Sequence, residues 1–85
     1  MISIVIPTRN RPVLLTRLVS SLESAIDIDY EIVIIDSSDG NKSSENLAKI
    51  NNVRYYRTDI KSAAIQRNIG IDKIENTDFV FFLEK

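Results

Sequence analysis

The stretch ISIVIPTRN at Ile2–Asn10 decides the fold, because a nearly unbroken apolar run is followed at once by a polar turn. Three further runs, largely apolar, have the same form at Ile32–Ile35, Val53–Tyr56 and Phe79–Leu83. Runs of Ile, Val and Phe without polar alternation are typical of strands buried on both faces of a parallel sheet. Helix-patterned stretches separate the runs, so the sequence predicts one α/β domain with the order β-α-β-α-β-α-β.

Three helices are predicted between the strands, over residues 11–25, 43–50 and 61–74. Asn10 is a suitable N-cap for the first, and Pro12 in its first turn has no backbone N–H to leave unpaired. The turn chemistry of Asp39 and Gly40 precedes the short second helix. Leu47 and Ile50 are the residues of that helix expected to face the sheet.

The third helix carries an arginine on its predicted inward stripe. Arg67 follows Ala64 by three residues and precedes Ile71 by four, so the three share a helical face. An unpaired buried cation is costly, so an anion or a carboxylate is expected beside Arg67, unless its long side chain extends to solvent. Gly70 in mid-helix costs about 1 kcal/mol relative to alanine, which is tolerable where the backbone must approach a neighbour closely.

The composition excludes several functional classes. The chain has 85 residues, a net charge of −1, and neither His nor Cys, so it offers no imidazole, thiolate or disulfide chemistry. A chain with this charge is not a general polycation, and no binding to nucleic acid is predicted. Only Gly40 and Gly70 are present, which excludes a glycine-rich phosphate loop. No run approaches the roughly 20 apolar residues of a membrane span, and a strand begins at Ile2 in place of a signal peptide, so a cytoplasmic protein is predicted.

Four segments then occur in an informative order: SIVIPTRN at residues 3–10, EIVIIDSS at 31–38, AAIQRNIG at 63–70 and DFVFFLE at 78–84. Together they resemble the family 2 glycosyltransferases of GT-A fold. That family has V-S-[VI]-[IV]-I-P-[TV]-[YR]-N at its start and [IV]-[IV]-[VI]-D-D-[GC]-S after its second strand. It continues with A-R-N-x-G on a later helix and F-L-D-x-D at its metal site. The resemblance covers the whole chain in the family's order and approximate spacing.

The resemblance implies a particular architecture. We expect a Rossmann-like three-layer sandwich, the N-terminal half of the GT-A fold. Its parallel four-stranded sheet has the order 3-2-1-4, with helices on both faces and right-handed crossovers. Ligands of such sheets bind outside the carboxyl ends of the strands, here near the switch point between strands one and four.

The resemblance also implies a nucleotide site. Its predicted nucleotide-binding residues are Pro7, Thr8, Arg9, Asn10, Asp36, Ser37 and Arg67. Pro7 and Thr8 would line the base and ribose, and Arg9 stands where the family often has an aromatic residue. Asp36 would hydrogen-bond the base, usually uracil, although an aspartate in this setting can equally serve a turn or cap a helix. Arg67 would help to hold the diphosphate or the aspartates.

A metal site is implied at the end of the chain. Glu84 matches the first acid of F-L-D-x-D, whose carboxylates hold Mg²⁺ or Mn²⁺ against the diphosphate in this family. The sequence departs from the family pattern in several places: Ser37 replaces the common second aspartate, Ser38 replaces a glycine, and Glu84 is followed by Lys85 where the chain stops. No catalytic residue is assigned, because the usual catalytic base would lie downstream.

The predicted function is therefore that of a fragment. Residues 1–85 are expected to form a single nucleotide-sugar-binding subdomain of an inverting glycosyltransferase, inactive alone, whose partners are a UDP-linked sugar and a sugar or glycan acceptor. Exposed edge strands at Val53–Tyr56 and Phe79–Leu83 predict self-association. The alternative is a small α/β scaffold or interaction domain that binds no nucleotide. A nucleotidyltransferase is a weaker third option, since no glycine-rich loop follows Ile6.

Overall fold

A computed structural model describes residues 1–83, so the predicted metal ligand Glu84 lies outside the described residues. The elements are β1 (Ile2–Thr8), α1 (Pro12–Ala25), β2 (Tyr30–Asp36), two 3₁₀ turns (Gly40–Lys42 and Glu45–Lys49), β3 (Val53–Arg57), α2 (Ala63–Asp72) and β4 (Phe79–Phe82). The strands form one parallel sheet in the order β3-β2-β1-β4. The predicted strand order is confirmed.

The two central strands, β1 and β2, are buried on both faces, as their apolar runs predict. Alternate side chains of β1 and β2 point to opposite faces, because successive residues of a strand do so. One face packs against α1 and the second 3₁₀ turn. The buried residues of this contact, from the strands and from the elements that cover them, are Ile4, Ile6, Leu15, Val19, Ile32, Ile34, Leu47 and Val53. The other face packs against α2 and the residues after it, through Val5, Val33 and Ile35 with Ile69 and Ile74. The three-layer arrangement is confirmed.

Two local predictions are wrong at the helix ends. Asn10 does not cap α1: Arg11 occupies the N-cap position without a side-chain hydrogen bond. Asn10 instead adopts a left-handed backbone conformation with φ of 55°, which asparagine tolerates better than most residues. The predicted helix over 43–50 is instead a 3₁₀ turn over Glu45–Lys49, and the Ser44 N–H at its start donates to the buried Asp36 carboxylate.

The inward face of α2 is also not the predicted one. Gln66 and Gly70 are its buried residues, whereas Ala64 and Ile71 are exposed and Arg67 is half-buried. A Cβ added at Gly70 would collide with Cγ1 of Val5 on β1. This close approach sets the rotation of the helix, and it explains the mid-helix glycine.

The far edge of the sheet is uncovered in the part of the chain that is described. The exposed fractions of β4 residues run from 37% at Val80 to 65% at Phe79. An apolar cavity of about 490 Å³ lies beside β4, against Leu22 of α1 and Ile26 just after that helix. The expected exposure of edge strands is therefore confirmed for β4, whereas in β3 Val53 is buried and Arg54, Tyr55 and Tyr56 are half-buried. No helix within residues 1–83 is long and apolar enough to cross a membrane.

Candidate functional site

The strand register brings three polar residues into one row at the carboxyl edge of the sheet. Thr8 of β1 lies beside Asp36 of β2, and Asp36 lies beside Arg57 of β3. Thr8 and Asp36 are buried, with 3% and 0% of their surfaces exposed. The loops that follow these strands therefore meet over a buried polar floor, which is the place where sheets of this type bind ligands.

Asp36 is the centre of that floor. Its Oδ1 accepts hydrogen bonds from the Ser38 backbone N–H at 2.9 Å and from the Ser38 hydroxyl. Its Oδ2 accepts from the Ser44 N–H at 3.0 Å and from the Tyr55 hydroxyl at 2.5 Å. One carboxylate thus joins the end of β2, the loop after it and the middle of β3.

These four hydrogen bonds use the whole acceptor capacity of Asp36, because an ionised carboxylate offers about four lone-pair sites. A base N–H could reach Asp36 only if one of the four donors left. The turn role of this aspartate, one of the two alternatives from the sequence, accounts for the three hydrogen bonds from Ser38 and Ser44, and the fourth comes from Tyr55 on the neighbouring strand. Asp36 thereby fixes the shape of the loop over residues 37–44.

Tyr55 is a partner of Asp36 that the sequence does not reveal. Burial and the hydrogen bond to the Asp36 carboxylate raise the pKa of the Tyr55 hydroxyl well above its ordinary value of 10.0. A group whose pKa is raised on folding stabilises the fold fully below its unfolded pKa, and that stabilisation is lost as the pH rises above it. The Tyr55–Asp36 contact should therefore weaken only in alkali.

Replacement of Tyr55 by phenylalanine tests this contact. We expect the free energy of unfolding to fall by about 1–2 kcal/mol at neutral pH, since a buried acceptor loses a donor. The difference between the two proteins should stay constant at lower pH and shrink as the pH rises above about 10, because only the unfolded wild-type chain ionises Tyr55 there. Urea unfolding at several pH values measures both effects. A difference independent of pH would contradict the proposed pKa shift.

Gln66 of α2 holds the ends of the two central strands together. It is buried, with 4% of its surface exposed. Its amide Nε2 donates to the carbonyl of Ile35 at 2.8 Å and to that of Thr8 at 3.2 Å. The sequence analysis missed this role. The signal was present, because Gln66 lies four residues before Gly70 and so shares the glycine's face of the helix.

Asp39 links three loops above the floor. Its carboxylate lies 3.4 Å from Arg9 Nη2 and 3.9 Å from Lys61 Nζ. Asn10 donates from Nδ2 to Asp39 at 3.2 Å and accepts from the Asp39 N–H at 2.9 Å. The hydrogen bond from Asn10 and the positive charges of Arg9 and Lys61 hold the pKa of Asp39 below its ordinary value. The site therefore carries converging cations around a single exposed carboxylate.

A cavity of about 170 Å³ opens beside this cluster, lined by Pro7, Thr8, Arg9, Lys61, Ala63 and Gln66. The Thr8 hydroxyl is buried, yet it has no hydrogen-bond partner among the residues that the structure describes. Buried polar atoms are nearly always paired, so an orphan of this kind calls for an explanation such as an absent ligand. Thr8 Oγ1 is one of two such orphans among the described residues, and the other is Ser44 Oγ.

Most of the predicted nucleotide-binding residues lie together in the described structure. Pro7, Thr8 and Arg9 line the cavity. Asn10 lies next to them through Asp39, and Ser37 donates its N–H to the Thr8 carbonyl at 3.0 Å. Asp36 lies beneath the others, and Arg67 lies half-buried on α2. Within residues 1–83 no group of three or more His, Cys, Asp or Glu could hold a metal ion.

Comparison with known proteins places this chain in a family. The sequence matches the family model described as glycosyl transferase family 2 over residues 3–84. A comparison with curated proteins found no matching relative. Among solved structures, the chain is similar to the crystal structure of S. aureus TarS 1–349, with a TM-score of 0.80 and 23% sequence identity. That match covers 98% of this chain and 26% of the other, so the chain spans about a quarter of the TarS chain's length.

The structural likeness supports the fold, and the family match supports membership, because it extends over nearly the whole sequence. The chain belongs to glycosyl transferase family 2.

Proposed function

We propose that this chain is the nucleotide-binding part of a glycosyltransferase, and that its ligand is a nucleoside diphosphate sugar, with UDP as the nucleotide. The observation that carries the proposal is the family match together with the loops after β1, β2 and β3, which meet at one edge of the sheet. Thr8, Arg9 and Arg67 are the proposed ligand contacts. Pro7, Asn10 and Ser37 would shape the walls around them.

Asp36 has a different role in this proposal from the one that the resemblance implies. Its carboxylate is occupied by the chain's own donors. We therefore assign it to the positioning of residues 37–44, which form one wall of the site. Ser38 and Asp39 belong to that wall and reach across to Asn10.

In the proposed reaction, an acceptor hydroxyl oxygen attacks the anomeric carbon of the sugar. The bond to the nucleoside diphosphate breaks, the configuration inverts, and the hydroxyl proton passes to a base. This chain would contribute binding and orientation of the donor and no catalytic base, so the 85 residues alone are expected to be inactive. The sugar or glycan acceptor would bind elsewhere.

A divalent metal, Mg²⁺ or Mn²⁺, remains part of the proposal through Glu84. When bound, such an ion would neutralise charge on the departing diphosphate. The described residues do not fit a metal centre: Asp36 is fully hydrogen-bonded, and Asp39 faces two cations. No step is assigned to a metal for residues 1–83. The cytoplasmic location and self-association remain predictions from the sequence.

Replacement of Thr8 by valine separates ligand binding from folding. Valine has nearly the same shape, and the buried Thr8 hydroxyl has no partner within residues 1–83, so the free energy of unfolding should not fall. If UDP uses that hydroxyl, its dissociation constant should rise by roughly two- to tenfold. Calorimetric titration with UDP measures the change.

Ser44→Ala is the matched control, because the Ser44 hydroxyl is the other buried side-chain group without a described partner. It should leave the free energy of unfolding unchanged, and because Ser44 is not a proposed ligand contact, its effect on UDP affinity should be smaller than that of Thr8→Val. Equal affinity of the Thr8→Val variant and wild type would remove Thr8 from the site. No UDP binding by the wild type would favour the scaffold alternative, for which the internally satisfied Asp36 is the supporting observation.

A further inference from the structure

The buried side chain of Gln66 makes hydrogen bonds with both of its polar groups. Its Nε2 donates to the carbonyls of Ile35 and Thr8, and its Oε1 accepts from the Ser37 hydroxyl at 3.5 Å. Because an amide nitrogen carries two N–H groups, both donors of Gln66 are used. One side chain of α2 therefore joins the ends of β1 and β2 to the first residue of the loop after β2.

Ser37 reaches the same strand end from that loop. Its backbone N–H donates to the Thr8 carbonyl at 3.0 Å, and its hydroxyl lies 3.4 Å from the same oxygen. Ser37 and Gln66 are both buried, with 2% and 4% of their surfaces exposed. A buried carbonyl that loses its donor is costly. These contacts therefore fix the separation of the loops after β1 and β2 where the loops leave the sheet.

Gln66 and Ser37 both depart from the family pattern, and the two departures are in contact. Ser37 stands at the second aspartate of D-D-[GC]-S, and Gln66 stands at the alanine of A-R-N-x-G. An aspartate at position 37 would place a buried carboxylate against the Thr8 carbonyl and Gln66 Oε1. All three groups accept hydrogen bonds, so this arrangement is unfavourable. The serine suits the glutamine, whereas the aspartate suits a residue without a polar side chain.

The position of Gln66 on α2 also affects the residue that follows it. The hydrogen bonds of Gln66 and the approach of Gly70 to Val5 together set the rotation of the helix. Arg67, half-buried, comes directly after Gln66 and takes its direction from that rotation. Gln66 is thus bonded to the backbone of one proposed ligand contact, Thr8, and is adjacent in the chain to another.

We propose that Gln66 is a positioning residue of the nucleotide site, and that it acts with Ser37 as one uncharged pair. The pair holds the strand ends that carry the two loops, and it sets the rotation of α2 that carries Arg67. Gln66 acts through these residues and not by contact with the ligand. The inference rests on the proposed function insofar as the ligand is a nucleotide.

Substitutions at Gln66 test the positioning role through UDP affinity. Gln66→Ala should raise the dissociation constant of UDP roughly three- to tenfold, because the strand ends lose their shared donor. Gln66→Met keeps the length of the side chain without its donors and should bind UDP as weakly. Calorimetric titration of the folded 85-residue variants measures these constants. Wild-type affinity in either variant would overturn the positioning role.

Val19→Ala is the control for a loss of stability alone. Val19 is fully buried in α1, on the other face of the sheet from α2. Its truncation should lower the urea midpoint of unfolding, as Gln66→Ala does, since it leaves a cavity in the core. It should bind UDP with wild-type affinity. An equal loss of affinity in Val19→Ala would show that reduced stability explains the effect of Gln66→Ala, and the positioning role would fail.

A double-mutant cycle tests the pair without any ligand. Ser37→Asp and Gln66→Ala should each lower the urea midpoint, and the double variant should lose less than the sum of the two. Ser37→Ala takes the place of Ser37→Asp in the cycle if the aspartate prevents folding, with the same expectation. Additive losses would overturn the pair. If the wild type bound no UDP, the proposed function would fail, and the cycle alone would decide the pair: coupled losses support it and additive losses refute it.

Discussion

Replacement of Asp36 by alanine should lower the free energy of unfolding by about 3–5 kcal/mol, because it removes one buried charged partner and leaves the others unsatisfied. The Tyr55 hydroxyl and the backbone N–H groups of Ser38 and Ser44 would all lose their acceptor. Domains of this kind have only about 5–15 kcal/mol of stability in total. The variant should therefore unfold at a much lower urea concentration than the wild type.

Asp39→Asn is the control for Asp36→Ala, since it alters an aspartate three residues along that is 53% exposed. Its effect on unfolding should stay within about 0.5 kcal/mol. The urea midpoints of the two variants and the wild type make the comparison. If Asp36→Ala unfolded at the wild-type midpoint, the hydrogen bonds of Asp36 would not stabilise the loop over residues 37–44. A direct role of Asp36 in ligand binding would then regain support.

Replacement of Gly70 by alanine should destabilise the protein by about 1–3 kcal/mol. The added methyl group would overlap Cγ1 of Val5, a residue with 0% of its surface exposed. Helix propensity alone would act in the opposite direction, since alanine is favoured over glycine by about 1 kcal/mol inside a helix. The sign of the change in the free energy of unfolding therefore shows whether packing against β1 outweighs helix propensity.

Gly40 provides the control substitution for Gly70. An alanine there would meet no atom within 4 Å, so its effect should be small. Val5→Ala combined with Gly70→Ala adds a second check, because the smaller side chain makes room for the new methyl group. The double variant should be more stable than the sum of the single effects predicts. An increase in stability for Gly70→Ala alone would contradict the close packing of α2 on β1.

The fold was predictable because its causes are local. The apolar runs Ile2–Ile6 and Ile32–Ile35 form the two central strands, while the run at the edge of the sheet, β4, is exposed. Helix α1 ends at Ala25, as its pattern predicts. The rotation of α2 was not predictable in this way. Its apolar residue Ile71 is 47% exposed while Gln66 is buried, because the approach of Gly70 to Val5 and the strand-end carbonyls decide the inward face.

The candidate site was likewise predictable from the sequence only in part. The sequence places Thr8 and Asp36 at strand ends, and the parallel register makes them neighbours. The fourth hydrogen bond to the Asp36 carboxylate comes from Tyr55, which is 19 residues away in sequence and was assigned no role. The cluster around Asp39 likewise needs Lys61 from another loop. Contacts between loops depend on tertiary packing, which the sequence pattern does not encode.

The central claim is that the carboxyl edge of the sheet binds a nucleotide. A two-dimensional amide NMR titration of the chain with UDP, with and without Mg²⁺, tests it most directly. We expect saturable shifts that cluster at Thr8, Arg9, Arg67 and the loop over residues 37–44, while the signals around Asp27, at the amino edge, stay unchanged. A well-dispersed spectrum that UDP does not alter, or shifts confined to the exposed face of β4, would contradict it.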